Sequence, residues 1–451
     1  MTHEDHDEIE LIAHAAVVLR LGPVVLLTDP WFAGRAFNES WALAPPAALR
    51  PDLLDEVTHL WISHEHPDHF HVPTLKGLPD AFKERVEVLF QETPTPKVPD
   101  ALRRMGFRSI RTLPNRQCCS LAPGIQVWCA QFGSLDSCLA MQGQARTLLV
   151  LNDCEVDPSE YAGLRAAVGA PDVVLAQFSL AGYTGEELDR DATLRADARR
   201  DLDGLVEQHR ALEARYTLPF ASFVYFCRSD NAYMNHYANS VADVVARFQP
   251  EGLELAVLWP GDRWRLDEPP PSEHAVARYA EFAARDELRP IEPATPVPLD
   301  AVEAAFHARS QRLRENHPVW LLRLLLAPLR VRLPDHDDAE VVLDLANDRW
   351  SVGPPSPDPD LSVCSQPLQF ALRWPFGVQT LGVSARLVVH RRRELWRRHR
   401  YLFSLDNMDL PLRPSRLLRR ERLGWLARRL PGLAAQVRHK LARDREDRAA
   451  G

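Results

Sequence analysis

Cysteine is scarce in this sequence, and none of its seven cysteines (118, 119, 129, 138, 154, 227 and 364) stands in a CxxC pair. An odd count without paired spacing argues against a disulfide framework and against a structural zinc knot. Long hydrophobic runs are also missing. The longest, 319–329, is too short to span a bilayer and is interrupted by Arg323 and Pro328. The opening MTHEDHDEIE is acidic and lacks the basic and apolar regions of a secretion signal. No internal repeat is present. These absences exclude a membrane span and a disulfide-stapled secreted domain, and they predict a cytoplasmic location.

What is present suits a large globular protein. The 451 residues are 45% apolar and 26% charged, enough for a sizeable catalytic domain plus a smaller one. The net charge of −8 hides an asymmetry: from Arg386 onward 19 Lys/Arg stand against 7 Asp/Glu, a net +12, leaving −20 on the rest. Strand-length apolar runs alternate with helical patterns through the first half. Strands are expected at 24–28, 57–62, 86–90, 109–113, 125–130, 138–142, 147–151, 173–177 and 221–226, and helices at 97–105 and 192–214. This mixture predicts an α+β fold over 1–265, an αββα sandwich of two mixed sheets covered by helices. A proline-rich linker is placed at 266–300. A smaller α+β domain follows at 301–410, with helix over 301–326, a hairpin of 341–345 and 350–352 around Asn347-Asp348, and strands at 368–374 and 380–389. Residues 411–451 are expected to form a basic amphipathic helical tail kinked at Pro431.

The chemistry gathers on one loop, His64-Glu65-His66-Pro67-Asp68-His69, directly after an apolar strand. Histidines at i and i+2 point to the same side of an extended segment. Asp68 and His69 fall on the next bend, facing a neighbouring site. Imidazole nitrogen combined with carboxylate oxygen suits zinc, iron or manganese. The plain alternative is a solvated, histidine-rich surface turn, and the buried strand running into the loop speaks against it.

This loop resembles the metal-binding loop of the metallo-β-lactamase superfamily. Leu27-Thr28-Asp29-Pro30-Trp31-Phe32 with Gly34, Phe37 and Trp41, then Asn152-Asp153-Cys154, Ala176-Gln177-Phe178-Ser179 and the stretch 220–235 (FASFVYFCRSDNAYMN), resemble the branch of CMP-N-acetylneuraminate hydroxylase-like and UlaG-like proteins. The resemblance implies that His64 and His66 bind a first metal, Asp68 and His69 a second, and Asp153 bridges them. Asp29 would organise the loop through hydrogen bonds. Two positions depart from the superfamily pattern. A third histidine for the first site belongs just before 138–142, where Asp136 is the available substitute or simply a polar strand start. A final histidine for the second site belongs just after Phe226, where Cys227-Arg228-Ser229-Asp230-Asn231 stands; His236 and Asp230 are the candidates, and His236 reads equally as a surface residue. His14, His71 and His317 read as structural, and Cys154 and Cys227 as buried filling.

Two divalent ions held this way support two reactions. With zinc, a deprotonated bridging water attacks an ester, lactone, amide or phosphoester, and Asp68 accepts its proton or orients it. With iron, the pair binds and reduces O₂, giving a hydroxylase or N-oxygenase, and an Asp136 ligand tilts the preference toward iron or manganese. Hydrolysis is the leading expectation, oxygenation the next, and a non-catalytic binding module the last. No cysteine stands in the C-x-H and C-x-x-H pairs that a Rieske cluster needs, so sialic acid hydroxylation is not carried over. The stretch 361–389 resembles a sterol-carrier-like domain, which implies a cover over the site mouth, an apolar pocket or a dimer contact. The expected partners are a small-molecule substrate, with a homodimer left open. The basic tail is set against an acidic surface, whether the chain's own body, an anionic membrane, nucleic acid or a carrier protein.

Overall fold

The computed structural model describes residues 6–93, 96–132, 136–185, 189–407 and 410–413. One sheet runs in the order Arg263–Arg265, Glu8–Ala13, Ala16–Leu21, Val24–Thr28, His59–Ile62, Glu87–Gln91, Ser109–Leu113. Pairings are antiparallel up to Val24–Thr28 and parallel beyond it. A second sheet runs Tyr216–Phe220, Val173–Gln177, Thr147–Asn152, Asp136–Gln142, Ile125–Phe132, Gln117–Ala122.

The two sheets pack face to face because their strands alternate inward and outward at period two. In His59–Ile62, Trp61 joins the core shared with Leu149, Val174 and Leu218 of the second sheet. Leu60 and Ile62 point the other way, into a core with Phe82, Val98 and Leu102 beneath the outer helices Asp80–Arg85 and Lys97–Arg104. All three side chains are fully buried, each worth about 1.5–3 kcal/mol. On the far side, Leu205, Leu212, Val244 and Phe248 of helices Arg190–Leu212 and Val241–Phe248 cover the second sheet. The result is the expected αββα sandwich.

The expected strands up to 173–177 fall on observed ones, and further strands were not anticipated, among them Glu8–Ala13, Ala16–Leu21, Trp41–Leu43, Gln117–Ala122, Tyr216–Phe220 and Arg263–Arg265. The expected last strand, 221–226, is two pieces. Ala221 takes a left-handed φ of 49°, which ends Tyr216–Phe220. Val224–Phe226 then pairs with Trp41–Leu43 in a separate small sheet.

The stretch assigned as a linker, 266–300, holds helix Ser272–Ala283. Its Tyr279 stacks on Phe223 with ring centroids 5.1 Å apart. Further on, helices Leu299–Asn316 and Val319–Leu325 precede a five-stranded sheet ordered Arg349–Gly353, Ala339–Asp344, Leu329–Leu333, Leu361–Ser362, Val388–Val389. This part has its own core, including Phe306, Val331, Leu372 and Phe403. The strands expected at 368–374 and 380–389 are corrected: Ser365–Arg373 and Gly377–Val383 are helices, and only Val388–Val389 is extended. Leu368, Ala371 and Leu372, then Val378 and Leu381, are buried at helical spacing. Trp374-Pro375 between them breaks the run into two short segments that resemble strands in length.

This part docks on the sandwich through the buried Arg386, which donates from Nε to both oxygens of Asp230 at 3.0 and 2.8 Å. A Cβ at Gly182 would lie 2.6 Å from the Val383 backbone, so the close approach there requires glycine. Of the tail 411–451, all but 411–413 lies outside the described residues. Among the described residues no helix is long and apolar enough to cross a membrane.

Candidate metal centre

The parallel strands Val24–Thr28, His59–Ile62 and Glu87–Gln91 all end at one edge of the first sheet, and Thr147–Asn152 ends against it in the second. Side chains just beyond such ends converge on a crevice, the usual place for a site in this kind of architecture. Asp29 follows the first strand and Ser63 the second. Asp29 Oδ1 accepts the Ser63 backbone N–H at 2.8 Å and Oδ2 accepts the Ser63 hydroxyl at 2.7 Å. Asn152 Nδ2 donates to the same Oδ2 at 3.1 Å. Asp29 and Asn152 both hold positive φ, 33° and 54°, a strain that persists where surrounding bonds over-determine the backbone. His66 carbonyl accepts the His69 N–H at 3.0 Å, closing a turn with Pro67 at its second position, where a fixed φ favours it.

Four side chains, His64, His66, Asp136 and Asp153, bring donor atoms within 4.8 Å of one another; His14, Asp68 and His69 form a second such group. His64 Nε2 lies 2.7 Å from His66 Nδ1, 3.7 Å from Asp136 Oδ1 and 3.5 Å from Asp153 Oδ2. Asp153 Oδ2 is also 3.6 Å from His69 Nε2, so one carboxylate faces both groups. His69 Nδ1 bonds Asp29 Oδ2 at 2.8 Å, leaving Nε2 directed inward. That carboxylate–imidazole arrangement fixes the ring's tautomer and orientation.

The electrostatics show a surplus of buried acid. Burial, and then the neighbouring Asp153, push the Asp136 carboxyl well above its ordinary range. Burial opposes charging His69, yet Asp68, Asp153 and Asp29 outweigh it and hold that imidazole well above its usual value. Burial keeps His64 neutral, well below the usual value. Meanwhile, among the described residues, Asp68 Oδ1, Asp136 Oδ1, Asp153 Oδ1, His69 Nε2 and His14 Nδ1 are buried without a hydrogen-bond partner. Orphaned atoms of this kind cost about 1–3 kcal/mol each, and here they cluster. Side chains of Asp136 and Asp153 keep 24% and 19% exposure, so the centre opens on their side. Phe37 lies near His66, with ring centroids 6.2 Å apart, and packs on Trp41 at 4.6 Å.

Thus His64, His66, Asp68, His69, Asp136 and Asp153 converge, and His236 does not. It is exposed on the short helix Ala232–His236, with Nε2 3.2 Å from an Arg195 guanidinium nitrogen. Asp230 is engaged by Arg386. Both stand apart from the two donor groups for the same reason: residues after Phe226 turn into the contact with the C-terminal part, where Asn231 donates to the carbonyls of Ser40 and Ser384. His14, read as structural, stands inside the centre. Strand Ala16–Leu21 is antiparallel to Val24–Thr28, which places the turn before it beside Asp29; a histidine between two apolar runs, LIA and AAVVL, was the available signal. His71 accepts the Thr74 N–H as a helix cap. Cys154 and Cys227 are buried, and burial raises both thiols, which disfavours a nucleophilic role.

Residues 8–120 match the Beta-lactamase superfamily domain. Over 73 residues the chain is 40% identical to the cytidine monophosphate-N-acetylneuraminic acid hydroxylase of Asterias rubens, covering 16% of this chain and 11% of that protein. Over 72 residues it is 38% identical to the inactive human counterpart, covering 16% and 14%. The matches therefore span only a small part of these curated relatives. Among solved structures, the chain is similar to CmlA, a diiron beta-hydroxylase from Streptomyces venezuelae, at 20% identity, 58% of this chain, 54% of that one and a TM-score of 0.41. It is also similar to an isothiocyanate hydrolase from Delia radicum gut bacteria, at 17% identity, 57%, 98% and 0.42.

Proposed function

We propose, for a chain whose residues 8–120 match the Beta-lactamase superfamily domain within an αββα sandwich, a dinuclear-metal enzyme that oxidises a small organic substrate with O₂. The supporting observation is Asp136. It lies beside His64, His66 and Asp153, where the superfamily pattern calls for a histidine. Three carboxylates, Asp68, Asp136 and Asp153, then share the centre, and a set richer in oxygen than one with a histidine in place of Asp136 tilts the preference toward iron or manganese over zinc. The orphaned carboxylate oxygens and imidazole nitrogen fit a pair of cations, with His64, His66, Asp136 and Asp153 holding one and Asp68, His69 and Asp153 the other. When bound, such a pair supplies O₂ reduction with electrons from an external donor, or water activation when the metal is zinc.

The chain's own residues do the positioning. Asp29, backed by Ser63 and Asn152, holds the His69 ring. Gln91 Nε2 and Ser137 Oγ both donate to the Ser63 carbonyl, at 2.8 and 2.6 Å, tying the loop to both sheets. Trp31, Phe37 and Trp41 are nearly fully buried around the loop and limit water on that flank.

Hydrolysis is the second reading, favoured by the number of imidazoles (His14, His64, His66 and His69), which suits zinc. The deciding experiment is metal analysis of protein purified without added metal, followed by reduction and exposure to air. Iron with stoichiometric O₂ uptake supports the oxidative reading. Zinc with ester or lactone turnover, and no O₂ uptake by an iron-reloaded sample, overturns it in favour of the hydrolase.

A further inference from the structure

The segment after Phe226, where the resemblance led to the expectation of a further metal ligand, is committed elsewhere. Asp230 and Asn231 hold the C-terminal part, and His236 faces solvent beside Arg195. The centre is short of one donor from that end of the chain. A further donor comes from the N-terminal end, His14.

His14 sits in the turn between Glu8–Ala13 and Ala16–Leu21 and is 1% exposed. Its ring is fixed edge-on between Trp31, with centroids 5.6 Å apart, and His69, at 5.8 Å. His14 Nε2 lies 3.2 Å from Asp68 Oδ2, and His69 Nε2 lies 3.4 Å from the same oxygen. Two donors about 2.0–2.2 Å from one tetrahedral ion stand about 3.4 Å apart, so these spacings suit joint ligation. A hydrogen bond to Asp68 alone accounts for His14 Nε2. Among the described residues it leaves Asp68 Oδ1 and His69 Nε2 buried without partners, in residues whose donor atoms, with that of His14, lie within 4.8 Å of one another. An ion shared by the three side chains relieves the carboxylate and the His69 nitrogen together.

We infer that His14 is a direct ligand of the second ion, completing a four-donor set with Asp68, His69 and the bridging Asp153. This rests on the dinuclear reading above and adds a ligand to it. The N-terminal hairpin thereby substitutes for the C-terminal histidine, and the segment after Phe226 is released to dock the second part of the chain.

The test strips the full-length protein with a chelator and reloads it with Zn²⁺, reading bound metal by mass spectrometry and affinity by calorimetry. Wild type is expected to bind two ions. His14→Gln, checked for folding by its thermal melt, is expected to bind one, with the second ion weakened more than about 100-fold, beyond the roughly 10–100-fold of a residue that only supports a ligand. Crystals of zinc-loaded wild type need no variant: anomalous scattering should place an ion about 2.0–2.2 Å from a His14 ring nitrogen. Two ions in wild type with His14→Gln also binding two at unchanged affinity, or an anomalous peak beyond bonding distance of His14, overturns this inference and spares the dinuclear reading. Wild type that takes up no ion removes both.

Discussion

Asp406 and Asp68 are both buried carboxylates, and they keep different company. Asp406, in the C-terminal part, accepts from Arg309 Nη1 at 2.5 Å, Arg312 Nε at 2.8 Å and Asn316 Nδ2 at 2.7 Å, so both its oxygens are bonded. Arg309 is itself buried and bonds the Leu372 carbonyl at 2.9 Å. Asp68 has two imidazoles at one oxygen and nothing at the other. Around it Asp136 and Asp153 add acid without adding a cation, and Asp136 responds with a raised pKa. A buried cluster that balances its own charge is built for structure. One that carries surplus acid and clustered orphans is built to receive charge from outside.

Breaking each cluster should therefore have opposite signatures. Asp153→Ala removes the carboxylate that faces both groups, and the expected result is loss of both ions and a fall in turnover of about 1000-fold or more. In the metal-free protein the same change relieves like-charge crowding at Asp136, so its urea midpoint should hold or rise. Asp406→Ala strands the buried Arg309 and should cost about 3–5 kcal/mol of stability, seen as a lower urea midpoint, while the folded variant still binds its full metal complement. Metal loss in Asp406→Ala, or collapse of metal-free Asp153→Ala, would erase the distinction.

The difference between the two parts also explains what the sequence made legible. The loop 64–69 is local: its residue types, spacing and preceding strand are enough to expose a nest of donors. Asp153 and Asp136 were reachable because each sits at a strand end, Thr147–Asn152 and Asp136–Gln142, that apolar runs announce. His14 was not, since its place depends on the register of a hairpin whose two strands were themselves unrecognised. His236 misled because nearness in sequence to Phe226 says nothing about a chain that turns away to meet Arg386. In the C-terminal part, short amphipathic segments split by Trp374-Pro375 carried too little periodicity to separate helix from strand.

A smaller change sharpens the comparison from within the metal centre. Asp29 binds no cluster partner except His69, and accepts from Ser63 and Asn152 besides. Asn at this position keeps one acceptor oxygen and the side-chain volume. Asp29→Asn should weaken the second ion by about 10–100-fold, the range for a residue behind a ligand, with the first ion near its wild-type affinity. Competition titrations with a metallochromic chelator resolve the two steps. Equal weakening of both ions would mean that Asp29 stabilises the whole loop rather than the His69 ring.

The smallest expected effect near neutral pH lies in the C-terminal core, at a buried histidine whose burial outweighs the opposing influences of Asp360 and Arg392. His399 Nδ1 donates to the Leu395 carbonyl at 2.8 Å, and Nε2 has no hydrogen-bond partner among the described residues. A cavity of about 30 Å³ lies beside it, bounded by Leu329, Leu372, Leu381, Trp396 and Phe403. Burial lowers this imidazole to about 4. The folded protein therefore keeps it neutral while the unfolded chain takes up a proton below about 6.5. Stability from this residue is unimpaired above about pH 6.5 and is lost as pH falls from there to about 4, by roughly 3 kcal/mol in all but under 1 kcal/mol between pH 7 and pH 6. Chelator-treated wild type and His399→Gln, unfolded in urea across that range, should diverge in slope by that amount, the variant being flatter. Parallel curves would show that the acid sensitivity of this part comes from its ion pairs instead, and that a lone buried imidazole can be protonated in place; the surplus acid around His69 would then no longer mark that ring as special.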